Sequence, residues 1–136
     1  MTKDNKTRKS KQTILFIDDE PAWLEAVRLL FEETPFRIIT ADGGEAALKE
    51  IHKKRPDLIM SDVRMPFMNG FDLYQQVRTD PKYKTIPYVF MSSIDDFDAK
   101  RTARELGADG YIEKPFDSEN IKTIISDLIA RFKVGQ

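Results

Sequence analysis

Five short apolar runs, each closed by polar or turn-forming residues, constrain this chain more than any other feature: Thr13–Ile17, Phe36–Ala41, Leu58–Ser61, Ile86–Met91 and the briefer Tyr111–Ile112. They are continuous rather than alternating. That is the pattern of strands covered on both faces. Between them apolar residues recur at helical spacing. Trp23, Val27, Leu30 and Phe31 follow Pro21, which suits the first turn of a helix, and Thr34-Pro35 ends that segment. Ala47, Leu48 and Ile51 follow Asp42-Gly43-Gly44; Phe71, Tyr74 and Val77 follow Gly70 and stop at Asp80-Pro81. Residues 96–106 carry Ala99, Ala103 and Leu106 inward, so this fourth helix buries mostly small side chains and is weakly held. Ser93 or Asp95 is its expected cap. Asp117 caps a last helix whose stripe is Ile121, Ile124, Ile125, Leu128, Ile129 and Phe132, with Phe116 placed to staple onto Ile121.

This alternation predicts an α/β fold: a single doubly wound, five-stranded parallel sheet with five helices on its two faces. Right-handed crossovers favour the flavodoxin-like strand order 2-1-3-4-5. A chain of 136 residues suits one such domain, placed at 13–133. Residues 1–12 carry five Lys and Arg with almost no apolar content and are expected to form a disordered basic tail.

In an open α/β sheet, ligands gather at the carboxyl ends of the strands. The polar residues that end these runs are therefore the candidates. Asp62 ends the third run, before the turn residues Met65-Pro66 and Asn69-Gly70. Asp18, Asp19 and Glu20 end the first. Any one acid at such a place is more often a turn former or helix cap. Several adjacent acids repel one another unless a cation intervenes, which points to a site of oxygen ligands for a hard cation. In the predicted strand order Asp18, Asp19 and Asp62 converge at the switch point, with Ser92 and Lys114 arriving from the fourth and fifth strands. A Mg²⁺ ion, an ammonium and a hydroxyl around one aspartate make a phosphoryl-binding site with Asp62 as the nucleophile.

Composition narrows the alternatives. There is no cysteine, which excludes disulfides, thiolate metal sites and a cysteine nucleophile. The only histidine, His52, reads as a surface residue on a Lys-rich helix, which argues against histidine-based hydrolysis. A net charge of −1 gives the chain no nucleic-acid footprint, and no apolar run is long enough to span a membrane. A cytoplasmic location fits.

Asp18-Asp19, Asp62 with Met65-Pro66 and Gly70, Ser92, and Tyr111 with Lys114-Pro115-Phe116 together resemble the receiver domain of two-component response regulators, across residues 13–133. The resemblance implies a phosphorylation switch rather than an enzyme, at most catalysing its own phosphorylation and dephosphorylation. Asp62 would be the phosphoacceptor, supplied by a histidine kinase or histidine phosphotransfer protein. Asp18, Asp19, Asp62 and the Arg64 backbone carbonyl would hold Mg²⁺. Lys114 would bind the phosphoryl group, Ser92 would be the switch hydroxyl, and Tyr111 the aromatic that swings inward behind it. Lys114–Pro115 would be a cis peptide. The face of helix 4, strand 5 and helix 5 would bind a downstream effector or a second copy. Arg64 and Ile94 border the phosphoryl group in this reading and depart from the family pattern, so the resemblance does not fix the dephosphorylation rate. Two rivals remain. A Mg²⁺-dependent aspartyl-phosphate phosphatase would need an acid where Arg64 stands. A receiver-like interaction module that is never phosphorylated would not need Asp62, Asp19 and Lys114 intact. The pathway, and whether the natural chain continues past Gln136, are not encoded here.

Overall fold

The computed structural model describes residues 12–134, with side chains to Arg131. Residues 1–11 of the tail expected at 1–12, and the Phe132 end of the last apolar stripe, lie outside these limits, and Gln12 is the first residue of β1. The elements alternate throughout: β1 (Gln12–Ile17), α1 (Pro21–Leu30), β2 (Phe36–Ala41), α2 (Gly44–Lys53), β3 (Leu58–Asp62), α3 (Gly70–Thr79), β4 (Tyr88–Ser93), α4 (Phe97–Leu106), β5 (Gly110–Lys114) and α5 (Ser118–Val134). The five strands form one parallel sheet in the order β2-β1-β3-β4-β5, as expected.

Successive strand residues point to opposite faces, so each apolar run feeds two cores. Leu15, Ile17, Ile59, Tyr88 and Phe90 pack against Ala47 and Ile51 of α2, Leu73, Tyr74 and Val77 of α3, and Ala99 and Ala103 of α4. Ile14, Phe16, Leu58, Met60, Val89 and Met91 face the other way, onto Val27 of α1 and Ile121, Ile125, Leu128 and Ile129 of α5. Both faces are covered, which is why the runs show no alternation. His52 is exposed, its ring 5.5 Å from that of Tyr83.

Several strand edges differ from expectation by one or two residues, and at β4 and the cap of α4 the cause is local. β4 starts at Tyr88 rather than Ile86, because Pro87 offers no N–H; the Tyr88 N–H is bound by Asp109 Oδ2 at 2.8 Å. β4 then runs to Ser93, which carries the next turn downstream. The cap of α4 is consequently Asp96, not Ser93 or Asp95: its side chain accepts from Ala99 N. Ile124 is 38% exposed and faces the groove between α4, β5 and α5 rather than the core.

Candidate functional site

Strand register performs the first step of assembly. Ile17 of β1 stands opposite Ser61 of β3, so the next residues, Asp18 and Asp62, emerge side by side at the carboxyl edge. Ser93 of β4 stands opposite Lys114 of β5, which brings the ammonium to the same edge. Asp18 is wholly buried and Asp62 is 6% exposed, whereas Asp19 is exposed. One oxygen of each of the three acids lies within 4.8 Å of the others.

Asp18 is held at both oxygens. Glu20 N–H donates to Oδ1 at 3.0 Å, and Lys114 Nζ donates to Oδ2 at 2.7 Å. The same ammonium lies 3.4 Å from Asp62 Oδ1 and 5.0 Å above the Trp23 ring. The turn into α1 is thus tied through Asp18; Glu20, the residue at the cap position, makes no side-chain cap bond. Capping of α1 therefore does not account for the acidic triplet.

Three carboxylates face one ammonium here. The imbalance appears in the titration of Asp62, whose carboxyl is pushed up to about 6, first by burial and next by the charge of Asp18, with Lys114 working in the opposite sense. Burial disfavours the charged form of Lys114, but its hydrogen bond to Asp18 and the Asp62 and Asp18 charges outweigh this and hold it above the ordinary lysine range. Convergent hard oxygens with uncompensated negative charge fit a small divalent cation such as Mg²⁺. Asp18, Asp19 and Asp62 are the side chains that could hold it. A buried carboxylate beside a fixed ammonium can also present a nucleophilic oxygen to an anionic group.

The loop after β3 is shaped by close approach. A Cβ on Gly70 would collide with the Asp62 carbonyl oxygen, and Gly70 N–H donates to Val63 O at 2.9 Å. Asn69 caps α3 in a reciprocal capping box with Asp72. The left-handed residue of the loop is not a glycine but Phe67, at φ 69°, with a fully exposed side chain. Nothing in its residue type signals that conformation. Lys114–Pro115 is cis, as expected. Phe116 packs its ring 5.1 Å from that of Trp23.

The remaining candidates lie on the rim. Arg64 does not turn toward Asp62. Its Nε and Nη2 grip Asp96 Oδ2 and Oδ1 at 2.8 Å each. Ser92, 2% exposed, donates its hydroxyl to Asp96 Oδ2 at 2.6 Å rather than to any group in the crevice. Ile94 is 61% exposed. The Tyr111 hydroxyl is already buried, without a hydrogen-bond partner, and its ring packs on the α2–α3–α4 side of the sheet. The ring itself is half-buried and borders the groove beside α4 while Ser92 is bound to Asp96. Asp96 was missed in the sequence. The spacing from Asp96 to Ala99, read with Ala99 and Ala103 as the inward face, would have found it as a cap but not as the partner of Arg64.

A sequence model of the response regulator receiver domain matches residues 14–126. Among curated proteins the chain is similar to the probable transcriptional regulator ycf27 of Galdieria sulphuraria, 33% identical across 94% of this chain and 48% of that protein. It is also similar to the alkaline phosphatase synthesis transcriptional regulatory protein PhoP of Bacillus subtilis, 31% identical across 90% of this chain and 50% of PhoP. The chain thus spans about half the length of the curated relatives it matches. Among solved structures, a putative response regulator from Chloroflexus aurantiacus superposes with a TM-score of 0.83 at 30% identity, covering 89% of this chain and 99% of that one. The chemotaxis protein CheY4 of Vibrio cholerae gives 0.80 at 28%, covering 88% and 99%.

Proposed function

The chain belongs to the response regulator receiver domain family, and on that premise we infer that it is a phosphorylation switch with Asp62 as the acceptor. The observation that carries this reading is the crevice itself: a buried carboxylate raised to about 6, two further acids within 4.8 Å, and an ammonium 3.4 Å away. The donor is a phosphohistidine of a histidine kinase or histidine phosphotransfer protein. An Asp62 oxygen forms the new P–O bond while the P–N bond to the imidazole breaks. Lys114, fixed by Asp18, meets the phosphoryl oxygens as they draw near. Asp18, Asp19, Asp62 and the Arg64 carbonyl would hold Mg²⁺, which supplies neutralising charge for the transfer. Arg64 is no acid and is engaged with Asp96, so a phosphatase lacks its proton donor at that position.

The output face is α4, β5 and α5. A groove of about 660 Å³ runs between them, lined by Lys100, Tyr111, Glu113, Phe116 and Ile124. A downstream effector or a second copy would read it. We place the reaction in the cytoplasm; no described helix is long and apolar enough to cross a membrane. Incubation with acetyl phosphate and Mg²⁺ should add one phosphoryl group by intact mass, and Asp62→Asn should abolish the addition. A modified mass that persists in the variant would refute Asp62 as the acceptor.

A further inference from the structure

Ser92 has a single hydroxyl proton to donate. In this structure that proton is committed to Asp96 Oδ2 at 2.6 Å, an ionised acceptor and hence a strong one. Asp96 is itself held from three directions. Arg64 grips both of its oxygens, Ala99 N–H donates to Oδ1 at 3.2 Å, and Ser92 fills Oδ2. These partners come from the loop after β3, the end of β4 and the first turn of α4, so one carboxylate ties three segments together at the edge of the crevice. Arg64 is 63% exposed and Asp96 only 13%, which leaves the guanidinium as the outer clasp.

Resting on the reading of Asp62 as phosphoacceptor, we propose that Asp96, clasped by Arg64, is a positioning residue that holds the Ser92 hydroxyl out of the phosphoryl site. A phosphoryl group on Asp62 offers anionic oxygens that compete for the same proton. Occupancy of the site therefore has to break the Ser92–Asp96 bond, and the strength of the clasp sets how readily the site is occupied. The same event reaches α4. That helix buries only Ala99 and Ala103, and Asp96 is its cap, so a change in the bonds of Asp96 acts on the start of a lightly anchored element.

The test uses beryllofluoride with Mg²⁺ as an acyl-phosphate mimic, titrated by Trp23 fluorescence, since that ring lies beside Lys114. Asp96→Ser retains a favoured cap residue but removes the carboxylate. It should tighten beryllofluoride binding by about tenfold, the scale of one charge-assisted hydrogen bond. Arg64→Ala, on the exposed side, should shift binding the same way by less, and serves if Asp96→Ser fails to fold. In a Ser92→Ala background, Asp96→Ser should change nothing. A gain that persists in that background would overturn the proposal, because it would reflect removal of a negative charge near an anion site rather than release of the hydroxyl. Unchanged or weaker binding by Asp96→Ser, beside a wild type that binds, overturns the latch alone. A wild type blind to beryllofluoride overturns the phosphoacceptor reading and the latch with it.

Discussion

Two polar clusters, one of three carboxylates and one around the single carboxylate of Asp96, lie at the same sheet edge and have opposite electrostatics. In the crevice, Asp18, Asp19 and Asp62 share one ammonium, and burial with the Asp18 charge lifts Asp62 to about 6. On the rim, the hydrogen bonds from Arg64 hold Asp96 well below the usual carboxylate range, despite some opposing burial, with Ser92 and Ala99 N–H adding to the effect. The first cluster is short of positive charge; the second has its partners. A site that binds a cation and an anion in turn needs unspent electrostatics. A latch needs the reverse, a stable resting arrangement that a ligand must outbid. The two differ because strand register forces the crevice acids together, whereas loop residues are free to find a complementary charge.

The largest test of this contrast removes the cation that, among the described residues, pairs with the crevice acids. Lys114→Ala leaves the fully buried Asp18 with the Glu20 N–H but no cation, and takes the ammonium from Asp62. Removing one partner of a buried ion pair destabilises by about 3 kcal/mol or more. Urea unfolding at neutral pH should show this loss, and added Mg²⁺ should recover part of it. A loss under about 1 kcal/mol, the range of exposed pairs, would mean that the crevice is better solvated than its burial indicates.

The next effect is on pH dependence, and its sign separates the two clusters. Asp62 titrates higher in the folded protein than the ordinary 3.8. Its contribution to stability is therefore full below about pH 4 and is lost as pH rises through about 6. Relative to Asp62→Asn, the metal-free wild type should lose up to about 3 kcal/mol across that window, at 1.36 kcal/mol per pKa unit. Mg²⁺ should restore stability at pH 7 and have little effect at pH 4, where a proton occupies its ligand. Asp96 behaves oppositely: its contribution is present above the ordinary carboxylate range and is lost as pH falls. A wild-type-minus-variant difference that stays flat from pH 4 to 7 would contradict the assignment for Asp62.

These two clusters were not equally legible in the sequence. Asp18, Asp62 and Lys114 could be placed because each ends an apolar run, and the order 2-1-3-4-5 follows from alternation and handedness. Backbone topology alone delivers them to the crevice. The rim depends on side-chain direction. Arg64 is two residues from Asp62, yet its guanidinium turns to Asp96, 32 residues away in the chain. No local periodicity encodes that choice. The cap of α4 was misplaced because Ser93 still belongs to β4 and a turn closed by Asp96 N–H on Ser93 O precedes the helix. Phe67 was missed because nothing in a phenylalanine signals a left-handed backbone. The buried position of the Tyr111 hydroxyl is of the same kind as the direction of Arg64: a rotamer is a tertiary decision.

The smallest effect is the most discriminating for the rim. Arg64→Ala removes a bidentate ion pair whose guanidinium is 63% exposed. Exposed pairs contribute about 0.2–1 kcal/mol, and bidentate geometry puts this one near the upper end. Asp96 would keep Ser92 and Ala99 N–H as donors, so its charge would not be stranded. The expected loss at pH 7 is therefore under about 1 kcal/mol by urea unfolding, and molar salt should shrink it further, since screening acts on exposed pairs first. The Lys114→Ala loss should respond to salt much less. A salt-insensitive loss of several kcal/mol for Arg64→Ala would place the rim pair in the same electrostatic class as the crevice. It would also make Arg64 part of the fold rather than a clasp that a phosphoryl group can loosen.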